Sequence, residues 1–486
     1  MTGKENLLRS SCSTLIAGKN ASFNGHVLLG HGEDTSGVRT QSHLVPRKTH
    51  AAGETVTFAD GTAVIPQVPV TYAYLWNEIR VPGGECFADT FLNENGVAVV
   101  SNNGLGSKKA ETGSDGAIGY GMRKLIAERA KSARHGVEVA AELMKDFGYY
   151  SSRIYHIADK DEAWSVQLTT GHQFAARRVG DDEIYYLPNW YTIHEIDFSD
   201  TKHKNFYWSE DLVGFAVRNG WYTPAVEGDY SDFDFAKAYQ GGPAWYTPIN
   251  RDRHVLGWVK TIGREVPEFT FAVKAEKKYT VQDFKDILRV RWLDDHPEDA
   301  DQTYEPVNGV NLEMHRGINW HGSIEGSVFE FNDDPMLNCM WRTIDRQRHS
   351  IFMPWYFGIK EIPSGFEYIG EVASAASHFF VDEAEISRYD RNYAFWSFHV
   401  LRDLMDFEFE EVKLLAAVRK LEDYFRASKA QADLAYQAMK AEDEDQAREL
   451  LTDYTAAMAD KTVRFIEQMI YELVQDKYEE KQLYNF

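Results

Sequence analysis

The chain is 486 residues long, with 75 acidic against 52 basic residues and a formal net charge of −23. That length accommodates either one large layered enzyme or several domains, while the acidic balance removes the electrostatic basis for binding nucleic acid or an anionic membrane. The three cysteines, Cys12, Cys86 and Cys339, are too widely spaced for a disulfide framework or a zinc pattern and fit a reducing, cytoplasmic compartment, and no apolar run approaches the ~20 residues of a membrane span.

Residues 1–11 carry two basic side chains and only Leu7-Leu8 as an apolar patch. That is too little for a secretory signal and reads as a short pro-segment. A β-type run starts at Cys12. A thiol of pKa ~8.5 is only a few per cent thiolate at neutral pH, and an α-amine of pKa ~7.7–8.0 is a usable base there. Removal of residues 1–11 would join the two on one residue, the arrangement of an N-terminal nucleophile. While the segment is attached, the Cys12 nitrogen is an amide and no base. The competing reading of Cys12 is a small apolar residue packed in an edge strand.

Asn24-Gly25 separates the apolar runs 14–17 and 27–29, a strong hairpin signal. The return strand ends at Gly30-His31-Gly32-Glu33-Asp34, where small residues let polar side chains crowd beside Cys12. A second hairpin signal, Asn93-Glu94-Asn95-Gly96, leads into 97–100 and then Asn102-Asn103. Two helices follow. Met122, Leu125 and Ile126 mark one face of the first; Ser132 caps the second, and Gly148 closes it in a left-handed conformation. Strands return at 154–157, 163–168, 174–179 and 184–187. The stretch 200–300 is rich in Tyr, Trp and Asp and shows no clear period. A late set of strands is expected over 327–331, 339–344 and 350–357, and helices from about 392 onward. Antiparallel hairpins around a helix pair argue for segregated layers rather than βαβ alternation.

The familiar catalytic patterns are missing: no His-Glu-x-x-His helix, no Gly-x-Ser-x-Gly elbow, no phosphate loop and no dinucleotide fingerprint. Cys12-Ser13-Thr14-Leu15-Ile16-Ala17-Gly18-Lys19-Asn20-Ala21-Ser22 with Asn24-Gly25, then Asn93-Glu94-Asn95-Gly96-Val97-Ala98, Asp159-Lys160-Asp161-Glu162-Ala163-Trp164, Leu187-Pro188-Asn189 and Ser350-Ile351-Phe352-Met353-Pro354-Trp355-Tyr356 together resemble the dipeptidase A and secernin family of cysteine-type N-terminal-nucleophile (Ntn) hydrolases. Bile-salt hydrolases and penicillin V acylases are more distant relatives of that family.

The resemblance implies an α+β fold, a four-layer αββα sandwich over 12–390, with a helical segment, 391–486, packed on the same domain. It also implies self-processing, a cysteine nucleophile, and neither cofactor nor metal. Carried over by position, Cys12 is the nucleophile and Asp34 the acid that orients its α-amine. Asn103 and Asn189 are the amides beside the oxyanion, with Asn102 read as a loop former. Many relatives have arginine where this chain has His31, which makes His31 a candidate supporting residue that titrates near ~6.5. Arg177 and Arg178 are candidates for gripping a substrate carboxylate, with surface pairing as the competing reading. The expected function is hydrolysis of dipeptides. The alternatives are an amidase for N-acylated small molecules and a non-catalytic secernin-like interaction protein. The expected partners are a dipeptide or small amide substrate, with the C-terminal helices a candidate surface for homo-oligomers.

Overall fold

A computed structural model describes residues 11–35, 39–59, 61–81, 85–104, 106–110, 118–241, 248–267, 269–299, 304–307, 310–313, 317–320, 322–367, 378–380, 382, 388–406 and 411–483. The expected pro-segment, apart from Ser11, lies outside these residues.

Two antiparallel sheets face each other. The first has seven strands in the order Ala272–Lys274, Glu183–Leu187, β1 (Ser11–Ala17), β2 (Leu28–Asp34), Ser323–Glu330, Cys339–Ile344, Met353–Tyr356. The path of the second runs Phe206–Trp208, Phe174–Val179, Ala163–Leu168, Arg153–Ala158, Ala98–Asn103, Glu85–Asn93, Tyr74–Arg80, Arg39–Val45, with His378–Phe380 paired to Glu85–Asn93 off that path. The hairpin that carries Cys12 is thus central in its sheet, which removes the edge-strand reading of that residue.

Alternation along each strand, two residues per repeat, sends alternate side chains to opposite faces. In the second sheet Ala98, Val100, Ile154 and Ala158 join the core shared with the first sheet. Their neighbours Val99, Tyr155, Ile157 and Trp164 join a second core with Met122, Leu125, Val137 and Met144 from the helices Met122–Arg129 and Ala133–Asp146. The outer face of the first sheet is covered by the helices Pro248–Ile262 and Val281–Leu288 and by the long helices Glu411–Lys440 and Glu444–Leu483. The result is the expected α+β order of helix, sheet, sheet, helix. Leu414, Phe425, Leu451 and Ile466 of the long helices belong to the same core as Leu15 and Trp341, so the C-terminal helices share the core of the sheets.

Local signals survive folding. Ser132 accepts a hydrogen bond from the His135 amide at the start of the second helix, and Gly148 closes that helix at φ +74°. Asn24-Gly25 sits inside a longer connection between β1 and β2 rather than forming a two-residue turn. That connection is tied down by Asn20 N donating to Asp181 O at 2.9 Å and Phe23 N to Tyr279 O at 2.9 Å. The late strands are Ser323–Glu330, Cys339–Ile344 and Met353–Tyr356, and the acidic run near 294–299 holds two short 3-10 turns.

Buried ion pairs attach the C-terminal helices. Glu422 accepts from Arg289 at 2.5 and 3.0 Å and from the Phe352 amide at 2.7 Å. Burial alone would raise its carboxyl; Arg289 and Lys285 instead hold it below the ordinary value. At Glu411 burial again pushes the carboxyl up, and His349, Arg348 and Arg291 override it and hold the group far below its ordinary value. Asp345 is lowered in the same way by Arg402 and His399. Carboxyls held below their unfolded values of ~4 contribute stability above that pH and lose it as pH falls through the folded values. The urea midpoint, followed by far-ultraviolet circular dichroism, is therefore expected to drop between about pH 5 and pH 3, and less steeply for Glu422→Gln than for the parent.

Candidate functional site

The hairpin register builds the site. Ser11 pairs with Asp34, Cys12 with Glu33, Ser13 with Gly32 and Thr14 with His31. Directly opposed residues of an antiparallel pair share a face. Cys12, Thr14, His31 and Glu33 therefore look toward the second sheet, while Ser13 and Asp34 look toward the helix Pro248–Ile262. On that outer face Gly30 lets the helix Val281–Leu288 lie close, since a Cβ there would stand 2.8 Å from the Phe284 ring.

On the inner face the Cys12 thiol is fully buried and donates to Glu33 Oε2 at 3.0 Å. The same carboxylate oxygen lies 3.5 Å from His31 Nε2. The opposite edge of the imidazole is held by a relay. Asn102 Nδ2 donates to the carbonyls of Leu187, at 3.3 Å, and Pro188, so Asn102 Oδ1 faces Thr14. Thr14 Oγ1 gives its proton to that Oδ1 at 2.6 Å and must then accept from His31 Nδ1 at 2.9 Å. His31 Nδ1 thus carries hydrogen, and Nε2 is the ring nitrogen that faces Glu33.

On the outer face Asp34 is buried against Arg253, whose Nη1 donates to Oδ2 at 2.5 Å, and Ser323, whose hydroxyl donates to Oδ1 at 2.6 Å. Arg253 also reaches Ser13 Oγ at 3.1 Å and the Ile318 carbonyl at 2.7 Å. Burial raises the Asp34 carboxyl above its ordinary value against the pull of Arg253. Burial works against the Arg253 charge, and Asp34 more than restores it.

Asn189 follows the strand Glu183–Leu187, whose pairing with β1 stops at Thr14 opposite Leu187. Pro188 has no N–H and interrupts the ladder, and the Asn189 side chain donates to the Cys12 carbonyl at 3.4 Å. Asn103 ends its strand opposite Arg153 and is half-buried. Arg153 is buried and stacks on Tyr120 at 4.6 Å; its Nε makes no hydrogen bond, and no ion pair to a carboxylate is formed by it among the described residues. Burial works against its charge, and Tyr120, Tyr149, Tyr155 and the Cys12 thiol raise its pKa well above the ordinary value, which puts the guanidinium within electrostatic reach of that sulfur.

The structure therefore brings Cys12, His31, Asp34 and Asn189 to one hairpin end, with Asn103 on the strand facing it. It adds Glu33, Thr14, Asn102 and Arg253. Glu33 and Thr14 were readable once the hairpin register was known. Asn102, taken from sequence as a loop former, is a buried strand residue of the relay. Arg253 lies in an aromatic-rich stretch that offers no motif. Arg178 is occupied by Glu162 at 3.1 Å and by Asp181, and Arg177 stands 3.7 Å from Glu183, so surface pairing describes both.

The central hairpin of the αββα sandwich thus carries a buried thiol hydrogen-bonded to a carboxylate, and the family match makes the chain a hydrolase of the cysteine-peptidase class. The family model described as peptidase family C69 matches residues 11–413, and the chain belongs to that family. Most of the two long C-terminal helices lie beyond the match. Among curated relatives, probable dipeptidase B of Lactococcus lactis subsp. lactis (strain IL1403) is 25% identical over 386 residues, covering 74% of this chain and 77% of its own. Probable dipeptidase A of Streptococcus pyogenes serotype M18 (strain MGAS8232) is 22% identical, with 79% and 83% covered. Among solved structures, conjugated bile acid hydrolase of Clostridium perfringens aligns with a TM-score of 0.33 at 10% identity, covering 79% of this chain and 98% of that one. Penicillin V acylase of Agrobacterium tumefaciens aligns with a TM-score of 0.24 at 12% identity, covering 34% and 49%.

Removing the guanidinium would leave the buried Asp34 carboxylate without its cation. Arg253→Met is expected to lower the unfolding free energy by roughly 3–5 kcal/mol, read from urea denaturation, and Arg253→Lys by less.

Proposed function

We propose that the protein is a dipeptidase whose nucleophile is the thiol of Cys12 once residues 1–11 are removed. The observation that carries this reading is Cys12 itself. It is a buried thiol hydrogen-bonded to Glu33, on a central hairpin, one residue inside the stretch matched by the peptidase family. The preceding Ser11 pairs with Asp34, so cleavage of the Ser11–Cys12 bond would free an amine next to that carboxylate, which suits a group that steadies an ammonium. The thiolate attacks the peptide carbonyl. The amine passes a proton to the leaving group and then activates water. Asn189, already at the Cys12 carbonyl, and Asn103 supply amide donors for the oxyanion.

Arg153 favours a substrate with a carboxylate. A buried guanidinium without a carboxylate partner is costly, and a free C-terminus arriving beside the thiol would offset that cost through a bidentate pair. The N-acyl amidase reading predicts instead an apolar substrate end there, and the non-catalytic reading predicts no turnover.

Intact mass before and after Cys12→Ala tests the nucleophile. The parent is expected to shorten to begin at Cys12 and to hydrolyse a dipeptide panel. The variant should keep its full mass and lose turnover. A parent that retains residues 1–11 with full activity, or an active Cys12→Ala protein, overturns the reading. For the anchor, Arg153→Met is expected to raise KM for dipeptides by about 10-fold or more, the worth of one charged hydrogen-bonded contact, while leaving KM for the corresponding dipeptide amides nearly unchanged.

A further inference from the structure

Cys12, His31 and Glu33 are all buried, and their sulfur, imidazole nitrogen and carboxylate oxygen lie within 4.8 Å of one another. We propose that this trio is a zinc-binding site, and that Zn²⁺ seated there holds the Cys12 sulfur as a metal thiolate and reversibly blocks turnover.

The donor set is the first argument. Thiolate, imidazole and carboxylate are the ligands zinc takes, and three of them leave a fourth position open. The sulfur selects a thiophilic ion over Mg²⁺ or Ca²⁺. Distance is the second. Tetrahedral bonds of about 2.0–2.3 Å place donor atoms roughly 3.4–3.6 Å apart. Sγ and Oε2 stand 3.0 Å apart, and Nε2 and Oε2 stand 3.5 Å apart. A small outward shift of the thiol satisfies the ion.

The third argument lies behind the ligands. A metal-binding histidine ordinarily donates its other ring N–H to a neighbour that fixes ring and tautomer. Thr14 Oγ1, itself locked by Asn102, takes the His31 Nδ1 proton at 2.9 Å. Nε2 is thereby presented to the ion. Charge balances as well. Zn²⁺ displaces the thiol proton to solvent, and the thiolate and the Glu33 carboxylate together neutralise the ion in a site where an unpaired charge would be costly. After processing, the Cys12 amine sits two bonds from the carbon bearing sulfur and can close a chelate ring as fourth ligand; before processing, water takes that place. Blockage of turnover rests on Cys12 being the nucleophile. Binding of the ion does not.

Cobalt(II) added anaerobically to the full-length protein tests the site, because a cobalt–thiolate bond has a charge-transfer absorption in the near ultraviolet. One ion per chain is expected, with that band bleached by added Zn²⁺. Cys12→Ala should abolish the band, which separates it from binding at Cys86 or Cys339. His31→Gln and Glu33→Gln should each weaken binding about 10- to 100-fold. Thr14→Val, which removes the partner of Nδ1 without touching a ligand, should also weaken it and serves if either ligand variant fails to fold. Hydrolysis inhibited by Zn²⁺ should return on chelation. A folded parent without the band, a band that survives Cys12→Ala, or binding indifferent to His31 and Thr14 overturns the site. Stoichiometric binding with undiminished hydrolysis overturns the blocking role and counts against Cys12 as nucleophile. Absence of binding leaves that nucleophile reading standing.

Discussion

The register between the first two strands is the constraint on which the site depends. Pairing Cys12 with Glu33 and Ser11 with Asp34 delivers one carboxylate to each face of the sheet at the same end of the hairpin. A slip of one residue would send every side chain to the other face, and the thiol would lie under the helix Pro248–Ile262 instead of facing the second sheet. That register is held by the connection between the strands, whose backbone is pinned to Asp181 and Tyr279. The position of the sulfur thus depends on residues far along the chain.

Both carboxylates are buried, and each is managed differently. Asp34 is answered by a full cation, Arg253, together with Ser323. Glu33 has a thiol and an imidazole beside it, groups that give up or accept protons near neutrality. The outer face thus holds a closed ion pair, and the inner face a thiol, an imidazole and a carboxylate in contact. Asn102 and Thr14 extend the inner network across to the second sheet, so the two sheets must be assembled before His31 has a defined tautomer.

The strand and helix series was legible because it rests on local physics. The two-residue alternation of 163–168, the Ser132 cap and the glycine at Gly148 each act over a few residues, and all appear where expected. Segregated layers followed from antiparallel hairpins bracketing a helix pair, and the four-layer αββα order from the family resemblance. The stretch 200–300 was not legible. Its helices Leu212–Arg218, Phe235–Tyr239 and Pro248–Ile262 are short or lie among aromatic clusters, where packing against neighbours outweighs any sequence period.

Sequence alone determined that a cysteine opens the first strand, that a hairpin follows it, and that His31, Glu33 and Asp34 lie on the returning arm. These are covalent and short-range facts. Only the tertiary structure decided which of those groups meets the sulfur, because the length of the connection sets the register and alternation then assigns each face. It also decided that Asn102 is a relay rather than a loop residue, and that Arg253 closes on Asp34 from 219 positions away. No local signal encodes such a pair, since it exists only once burial has removed the water that would otherwise satisfy both charges.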